Sequence, residues 1–278
     1  MTTHDDNDTP IITSGAATLS VAGVRGPVFA APLVEYLLRL GDDRLVLGHR
    51  LSEWCGHGPI LEEDIALSNM ALDLVGQANM FLGLAGEVEG AGRDADALAY
   101  FREGVQYRNA LLVELPRGDF GFTIMRQFLF DAYSVLFLDA LAGCGHAGVA
   151  ALAAKSLKED KYHLRHSSEW VVRLGDGTNE SRTRAQRSLD GLWRYTGELF
   201  EYDVIDEAVA TEGVVVDRAA LFSRWDSMVR EVLQRATLDI PKGVVMASGG
   251  RRGRHTEYLG HLLTVMQSVA RAHPGATW

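Results

Sequence analysis

Two positions three residues apart, Asp160 and His163, have the residue types and the spacing of a metal-binding pair. On a helix this spacing places the carboxylate and the imidazole on one face, aimed at one ion. A bundle that holds two irons uses a Glu-x-x-His on two helices and a single Glu on each of two others. The other long apolar segments supply the remaining candidate ligands, which are Glu53, Asp73 and Asp131.

One half of such a site is incomplete. Three residues after Asp73 stands Gly76 instead of a histidine, and residues 60–86 contain no histidine at all. We therefore interpret the five positions as a vestigial metal site that holds no metal. Its polar side chains are expected to satisfy one another by hydrogen bonds and ion pairs, because buried polar groups need partners. His166 follows His163 by three residues, and the two could be a pair of metal ligands. We interpret them instead as part of a polar helix face.

The elements that would position these residues are helices. Apolar residues recur at helical spacing and no useful alternating pattern of a strand is present. The predicted helices are 32–55 with a pause at 41–43, 60–86, 94–112, 120–142, 147–174, one after the turn at 175–177, 205–210, 217–238 and 256–273.

Four of the long helices form two hairpins joined by a crossover, which predicts an all-α, ferritin-like up-down bundle with additional C-terminal helices. Residues 1–30 lack any helical period and are predicted to be a flexible N-terminal extension. We expect residues 31–278 to form one domain.

Composition excludes several classes of function. The formal net charge of -10 argues against broad binding of nucleic acid, which requires a basic surface. No apolar run is long enough for a membrane span, and the acidic start does not resemble a signal peptide. The two cysteines, Cys55 and Cys144, are expected to be buried free thiols in a cytoplasmic protein.

The most basic stretch of the chain, residues 249–257, contains Arg251, Arg252 and Arg254 among glycines. Flexible glycines beside arginines, just before a helix, suit an anion such as a phosphate. They also suit docking onto an acidic partner, or a plain solvated loop.

Several longer motifs carry a resemblance to a known family. They span about residues 36–278 and include Arg50–His57, Leu72–Ala78, Lys158–Arg165, Gly191–Phe200, Gly253–Gly260 and Pro274–Trp278. By these motifs the chain resembles the structural C subunits of the bacterial phenylacetyl-CoA monooxygenases, which are also called 1,2-phenylacetyl-CoA epoxidases.

The resemblance implies a role in a complex that epoxidises the aromatic ring of phenylacetyl-CoA during phenylacetate degradation. A catalytic sister subunit of the same fold holds the di-iron centre and the substrate. A reductase subunit with flavin and an iron–sulfur cluster supplies electrons from NADPH. The structural subunit pairs with the catalytic one and stabilises it, so this chain is expected to bind no cofactor. With this resemblance, we expect Arg251, Arg252 and Arg254 to contact a partner subunit or a phosphate of coenzyme A. Two alternatives are an active di-iron oxygenase in its own right and an iron-storage or stand-alone structural bundle.

Overall fold

The computed structural model describes residues 31–276, and the extension predicted for residues 1–30 lies outside them. Within the described range the secondary structure is entirely helical, as predicted. The α-helices are α1 (Pro32–Ser52), α2 (Leu61–Glu89), α3 (Ala95–Tyr100), α4 (Leu111–Glu114), α5 (Phe120–Ala142), α6 (Ala147–Gly175), α7 (Asn179–Leu192), α8 (Val204–Ala210), α9 (Arg218–Arg235), α10 (Glu257–Met266) and α11 (Ser268–Ala272).

Helices α1, α2, α5 and α6 form the central bundle. Helix α1 packs along α2 and α5 along α6, and α2 contacts α6 across the bundle. The short helices α3 and α4 belong to the connection between the two hairpins. Helices α7 and α9 pack on α5 and α6, and α8 packs on α1. The predicted ferritin-like arrangement, with additional C-terminal helices, agrees with this order.

Local signals set several helix ends. The Asp119 carboxylate accepts the backbone N–H of Phe122 at 2.8 Å and so begins α5. Asp217 caps α9 in the same way, as predicted. Such side-chain caps satisfy N–H groups that have no partner inside the helix. Helix α2 is followed by its C-terminal capping residue Gly90, which adopts the left-handed conformation with φ 65°.

The pause predicted at 41–43 is wrong, since α1 continues through it. A side chain at Gly41 would place its Cβ 2.6 Å from Leu82, so the glycine allows α1 and α2 to approach closely. The two aspartates that follow are buried, and they pair with arginines from distant segments. Asp42 pairs with Arg102, and Asp43 pairs with an arginine of the C-terminal loop.

These aspartates also explain why a single helix over 94–112 was a wrong prediction. The carboxylate of Asp42 accepts the backbone N–H of Arg108, and that of Asp43 accepts the N–H of Ala110, both at 2.8 Å. Backbone groups bonded in this way are not available to a continuous helix. The segment instead contains α3, a 3-10 turn at 104–106 and α4.

Two further expectations are corrected at the ends of helices. The C-terminal helix predicted over 256–273 is divided at Gln267 into α10 and α11. Cys55 is exposed in the turn after α1, whereas Cys144 is partly buried, so only part of the expectation for the thiols is met. In residues 31–276, none of the helices has both the length and the apolar character that crossing a bilayer requires.

Candidate functional site

A buried polar network crosses the centre of the bundle. At its middle lies the carboxylate of Asp160 on α6, which is buried. Gln77 of α2 donates from Nε2 to Oδ1 of Asp160 at 2.8 Å, and Ser134 of α5 donates from Oγ to Oδ2 at 2.5 Å. Both carboxylate oxygens are therefore bonded to neutral groups from the two neighbouring helices.

The positive charge of the network comes from Arg44 of α1, which is also buried. Its Nε donates to Oε1 of Gln77 at 2.9 Å, and its Nη2 donates to Oγ of Ser134 at 3.2 Å. Gln77 and Ser134 thus each connect the guanidinium to the carboxylate of Asp160. We call these four residues the Arg44–Asp160 network. It links all four helices of the bundle by a bridged ion pair.

Arg44 was not among the predicted site residues, although the sequence contains a signal for it. Leu37, Leu40, Leu47 and Leu51 recur at the spacing of one apolar helix face, and Arg44 occupies the position of that face between Leu40 and Leu47. A charged residue at a core position of a helix requires a buried partner. The partner itself was not predictable from α1.

Asp131 of α5 is buried beside this network. It accepts hydrogen bonds from Nε2 of Gln127 at 2.7 Å and from Oγ of Ser167 at 2.8 Å. Burial raises the pKa of Asp131 from its ordinary value of 3.8 to about 7, and the nearby His163 counteracts part of this increase. The group is therefore poised between its neutral and charged forms near neutral pH.

His163 connects the interior with the surface. Its Nε2 lies 3.0 Å from Oδ2 of Asp73 on α2, whose side chain is 38% exposed. Burial alone would lower the pKa of His163, but its hydrogen bond to the Asp73 carboxylate and the charges of Asp131 and Asp160 outweigh burial and raise it. One turn further along α6, Nε2 of His166 lies 2.9 Å from the Glu63 carboxylate. Both histidines therefore connect α6 to α2.

These residues do not fit a di-iron centre. Across residues 31–276, no group of three or more His, Cys, Asp and Glu side chains has the arrangement to hold a metal ion. Asp131 and Asp160 use their oxygens to accept hydrogen bonds from protein groups. The Arg44 guanidinium, hydrogen-bonded through Gln77 and Ser134, has no lone pair to offer a metal and would repel a cation.

The structure places four of the five predicted positions together and corrects the fifth. Asp73, Asp131, Asp160 and His163 belong to one connected cluster. Glu53 lies instead at the C-terminal end of α1, where its partly exposed carboxylate accepts a hydrogen bond from Arg50 at 2.6 Å. We predicted Glu53 as a ligand because it is a carboxylate near the end of a long helix. That position alone does not indicate the direction of its side chain.

The three arginines of the basic stretch have different environments. Arg251 is buried and forms a bidentate pair with Asp43, at 3.0 and 2.7 Å. It therefore anchors the C-terminal loop to α1 and is not available to a partner or to a phosphate, which corrects our prediction. Arg252 and Arg254 are exposed, and Arg252 lies 3.3 Å from the Glu201 carboxylate. For these two residues the predicted contact stays a prediction.

The same loop is held by a buried carboxylate that we did not predict. Glu198 accepts the backbone N–H groups of Leu111, Gly249 and Arg251 at 2.7, 2.8 and 3.3 Å. Its position in a 3-10 turn carries no local signal of this role. The polar groups of the bundle interior and of this loop thus serve mainly to connect segments that are distant in sequence.

Comparison with known proteins gives two results. Residues 27–278 match the family described as "Phenylacetic acid catabolic protein". The chain is also 46% identical over 246 residues to the C subunit of the 1,2-phenylacetyl-CoA epoxidase of Escherichia coli (strain K12). The aligned region covers 88% of this chain and 99% of that relative.

Proposed function

Because the chain belongs to the phenylacetic acid catabolic protein family, we propose that it is the non-catalytic, structural subunit of a 1,2-phenylacetyl-CoA epoxidase. In this role it pairs with a catalytic subunit of the same fold and stabilises it. The di-iron centre and the substrate belong to that catalytic subunit. Flavin, an iron–sulfur cluster and NADPH belong to a reductase subunit of the same complex.

The observation that carries the proposal is the Arg44–Asp160 network. In a di-iron bundle, carboxylates from all four helices converge on two cations. In this chain the α1 helix contributes the guanidinium of Arg44 to the bundle interior, and the α2 helix contributes the amide of Gln77. A fixed positive side chain compensates the charge of Asp160 without a metal, and this supports a role as a scaffold without a metal centre.

An alternative function is that of a di-iron oxygenase in its own right. The clustering of Asp131, Asp160 and His163 favours it, since these are ligand types at helical metal-site spacing. The alternative requires Arg44 to leave the bundle interior and Asp160 to exchange two protein hydrogen bonds for a metal. We therefore prefer the structural role.

The experiment is metal analysis and reconstitution. The purified chain should contain iron far below one ion per chain and should not turn over phenylacetyl-CoA with NADPH. Activity should appear when the catalytic and reductase subunits are added. Two irons per chain together with turnover by the chain and the reductase alone would refute the structural role.

A further inference from the structure

A histidine of the C-terminal loop contacts two parts of the connection between the hairpins of the bundle. His255 lies just before α10, and its Nδ1 lies 2.7 Å from Oε2 of Glu114 on α4. Its Nε2 lies 3.0 Å from the backbone carbonyl oxygen of Tyr107. These two partners are the ends of segment 107–114, so one imidazole connects both ends to the C-terminal part of the chain. We call the three residues the His255 bridge.

Both ring nitrogens of His255 need a hydrogen to form these bonds. A carbonyl oxygen only accepts, so Nε2 must donate to Tyr107. Glu114 accepts the backbone N–H of Thr256 on Oε1 at 2.6 Å and Nδ2 of Asn109 on Oε2 at 2.8 Å. Because donors to both oxygens favour an ionised carboxylate, the hydrogen between Glu114 and His255 belongs on Nδ1. A neutral imidazole has a single N–H and cannot form both bonds.

The surroundings of the ring also favour the charged form. The side chains of His255 and Glu114 are 7% and 0% exposed. Burial by itself lowers the pKa of His255, but its hydrogen bond to Glu114, the charge of that carboxylate and the Tyr107 carbonyl outweigh burial and raise it above the ordinary value of 6.5. The charge of Asp42 on α1 acts in the same direction. The packed chain therefore stabilises an imidazolium in a buried place.

The other charged residues near the bridge do not bind the Glu114 carboxylate. Arg50 of α1 donates to the backbone carbonyl oxygen of Glu114 and to the Glu53 carboxylate. The remaining ones pair with other carboxylates or face solvent, namely Arg102, Arg108, Arg254 and Glu257. Among residues 31–276, His255 is the one cation within ion-pair distance of that carboxylate. Loss of its proton leaves a buried negative charge without a counterion.

We propose that the His255 bridge is a proton-dependent latch, which holds segment 107–114 to the C-terminal loop while both ring nitrogens carry hydrogen and releases it when one proton is lost at alkaline pH. Loss of the Nδ1 proton places a nitrogen lone pair 2.7 Å from a carboxylate oxygen, so this contact changes from attraction to repulsion. The latch is independent of the proposed function, because all of its groups belong to this chain.

The direction of the pH dependence follows from the raised pKa of His255. The unfolded chain has the ordinary value of 6.5, and the folded chain has a higher one. Stabilisation by the bridge is therefore fully present below pH 6.5 and is lost as the pH rises through the folded value. The latch is closed at neutral pH and opens on the alkaline side.

Other contacts limit how far the release extends. The start of the loop is held by the pair of Arg251 with Asp43 and by backbone bonds to Glu198. The end of α10 is held by Gln267, which donates to two backbone carbonyl oxygens of the connection. These contacts do not include His255. We therefore expect opening to be confined to residues 107–114 and 253–258.

The first test reads the hydrogens on the ring nitrogens of the full chain. Protein labelled with ¹⁵N at histidine is followed by NMR from about pH 6 to about pH 10, and His255→Gln assigns the signal. His261→Gln is the matched control, since His261 of α10 is exposed. Both His255 nitrogens should carry a hydrogen at about pH 7, and one should lose it at higher pH. A neutral His255 ring at about pH 7 would overturn the proposal.

The second test measures backbone hydrogen exchange by mass spectrometry over the same pH range, corrected for the intrinsic effect of pH on exchange. Protection of residues 107–114 and 253–258 in the wild type should fall at least about tenfold through the titration, the change that one unit of pKa shift carries. His261→Gln should behave like the wild type. His255→Gln should show lower protection already at neutral pH and no step with pH. Wild-type protection that stays constant while His255 loses its proton would show that the bridge is no latch.

Discussion

Replacing Arg44 with methionine removes the positive half of the bridged pair at the centre of the bundle. Methionine has a similar length and no charge, so it fills the space without offering donors. Asp160 then keeps its hydrogen bonds from Gln77 and Ser134 and loses the charge that compensates its own. Gln77 and Ser134 each lose one bond from the guanidinium.

The magnitude follows from the burial of both charges. Removing one partner of a buried ion pair costs about 3 to 5 kcal/mol, because it leaves an uncompensated charge. Two neutral donors remain on Asp160, so we expect the lower end, about 3 kcal/mol. For a chain of this length each kcal/mol lowers Tm by about 2 °C, which gives a decrease of about 6 °C.

The assay is urea and thermal unfolding followed by circular dichroism at constant pH. The double variant Arg44→Met with Asp160→Asn removes both charges. Its cost should fall below the sum of the two single costs by about 2 kcal/mol, since replacing a buried pair by neutral groups is often nearly neutral. A single-variant cost below about 1 kcal/mol, or additive costs, would refute the bridged pair as an energetic unit.

Three further predictions concern the bundle and the loop. Because burial raises the pKa of Asp131 to about 7, the folded chain holds a proton that the unfolded chain releases above about pH 4. Stability should therefore fall from about pH 4 to 7, and Asp131→Asn should flatten this decline in unfolding experiments across that range; an unchanged slope would contradict it. Asp43→Asn removes the charge that compensates a buried arginine of the C-terminal loop. The free energy of unfolding, measured in urea, should decrease by about 3 kcal/mol. Residues 241–256 should also be cleaved faster by a protease. Gly175→Ala should destabilise the chain, because the added Cβ would overlap the carbonyl oxygen of Ala236. Gly191 of α7 has open space around it, so Gly191→Ala should stabilise the chain by about 0.5 to 1 kcal/mol. Thermal unfolding followed by circular dichroism measures both effects.

The sequence predictions were correct where local interactions determine the structure and wrong where contacts between distant segments determine it. The helix predicted over 120–142 is α5, Phe120–Ala142, because a capping residue, a long apolar run and terminal glycines are all local signals. The helix predicted over 94–112 failed because Asp42 and Asp43, on another helix, bind its backbone. A contact of that kind leaves no trace in the periodicity of the segment that it interrupts.

The same distinction between local and long-range interactions applies to the residues of the candidate site. The absence of an imidazole at Gly76 was visible in the sequence, since metal-site spacing on a helix is local. The positions of Glu53 and Arg251 could not be predicted from the sequence, because the direction of a side chain near a helix end or in a loop depends on what packs against it. Arg251 enters the interior because a buried aspartate compensates its charge there.

The helical class, the two hairpins of the bundle and the gap in the metal-ligand pattern could all be predicted from the sequence. These follow from residue spacing along single helices, which backbone geometry converts directly into faces. The role of Arg44 in compensating the charge of the bundle interior becomes visible only once the helices are packed together. That pairing joins side chains from four helices through Gln77 and Ser134, and it exists only where packing removes them all from water.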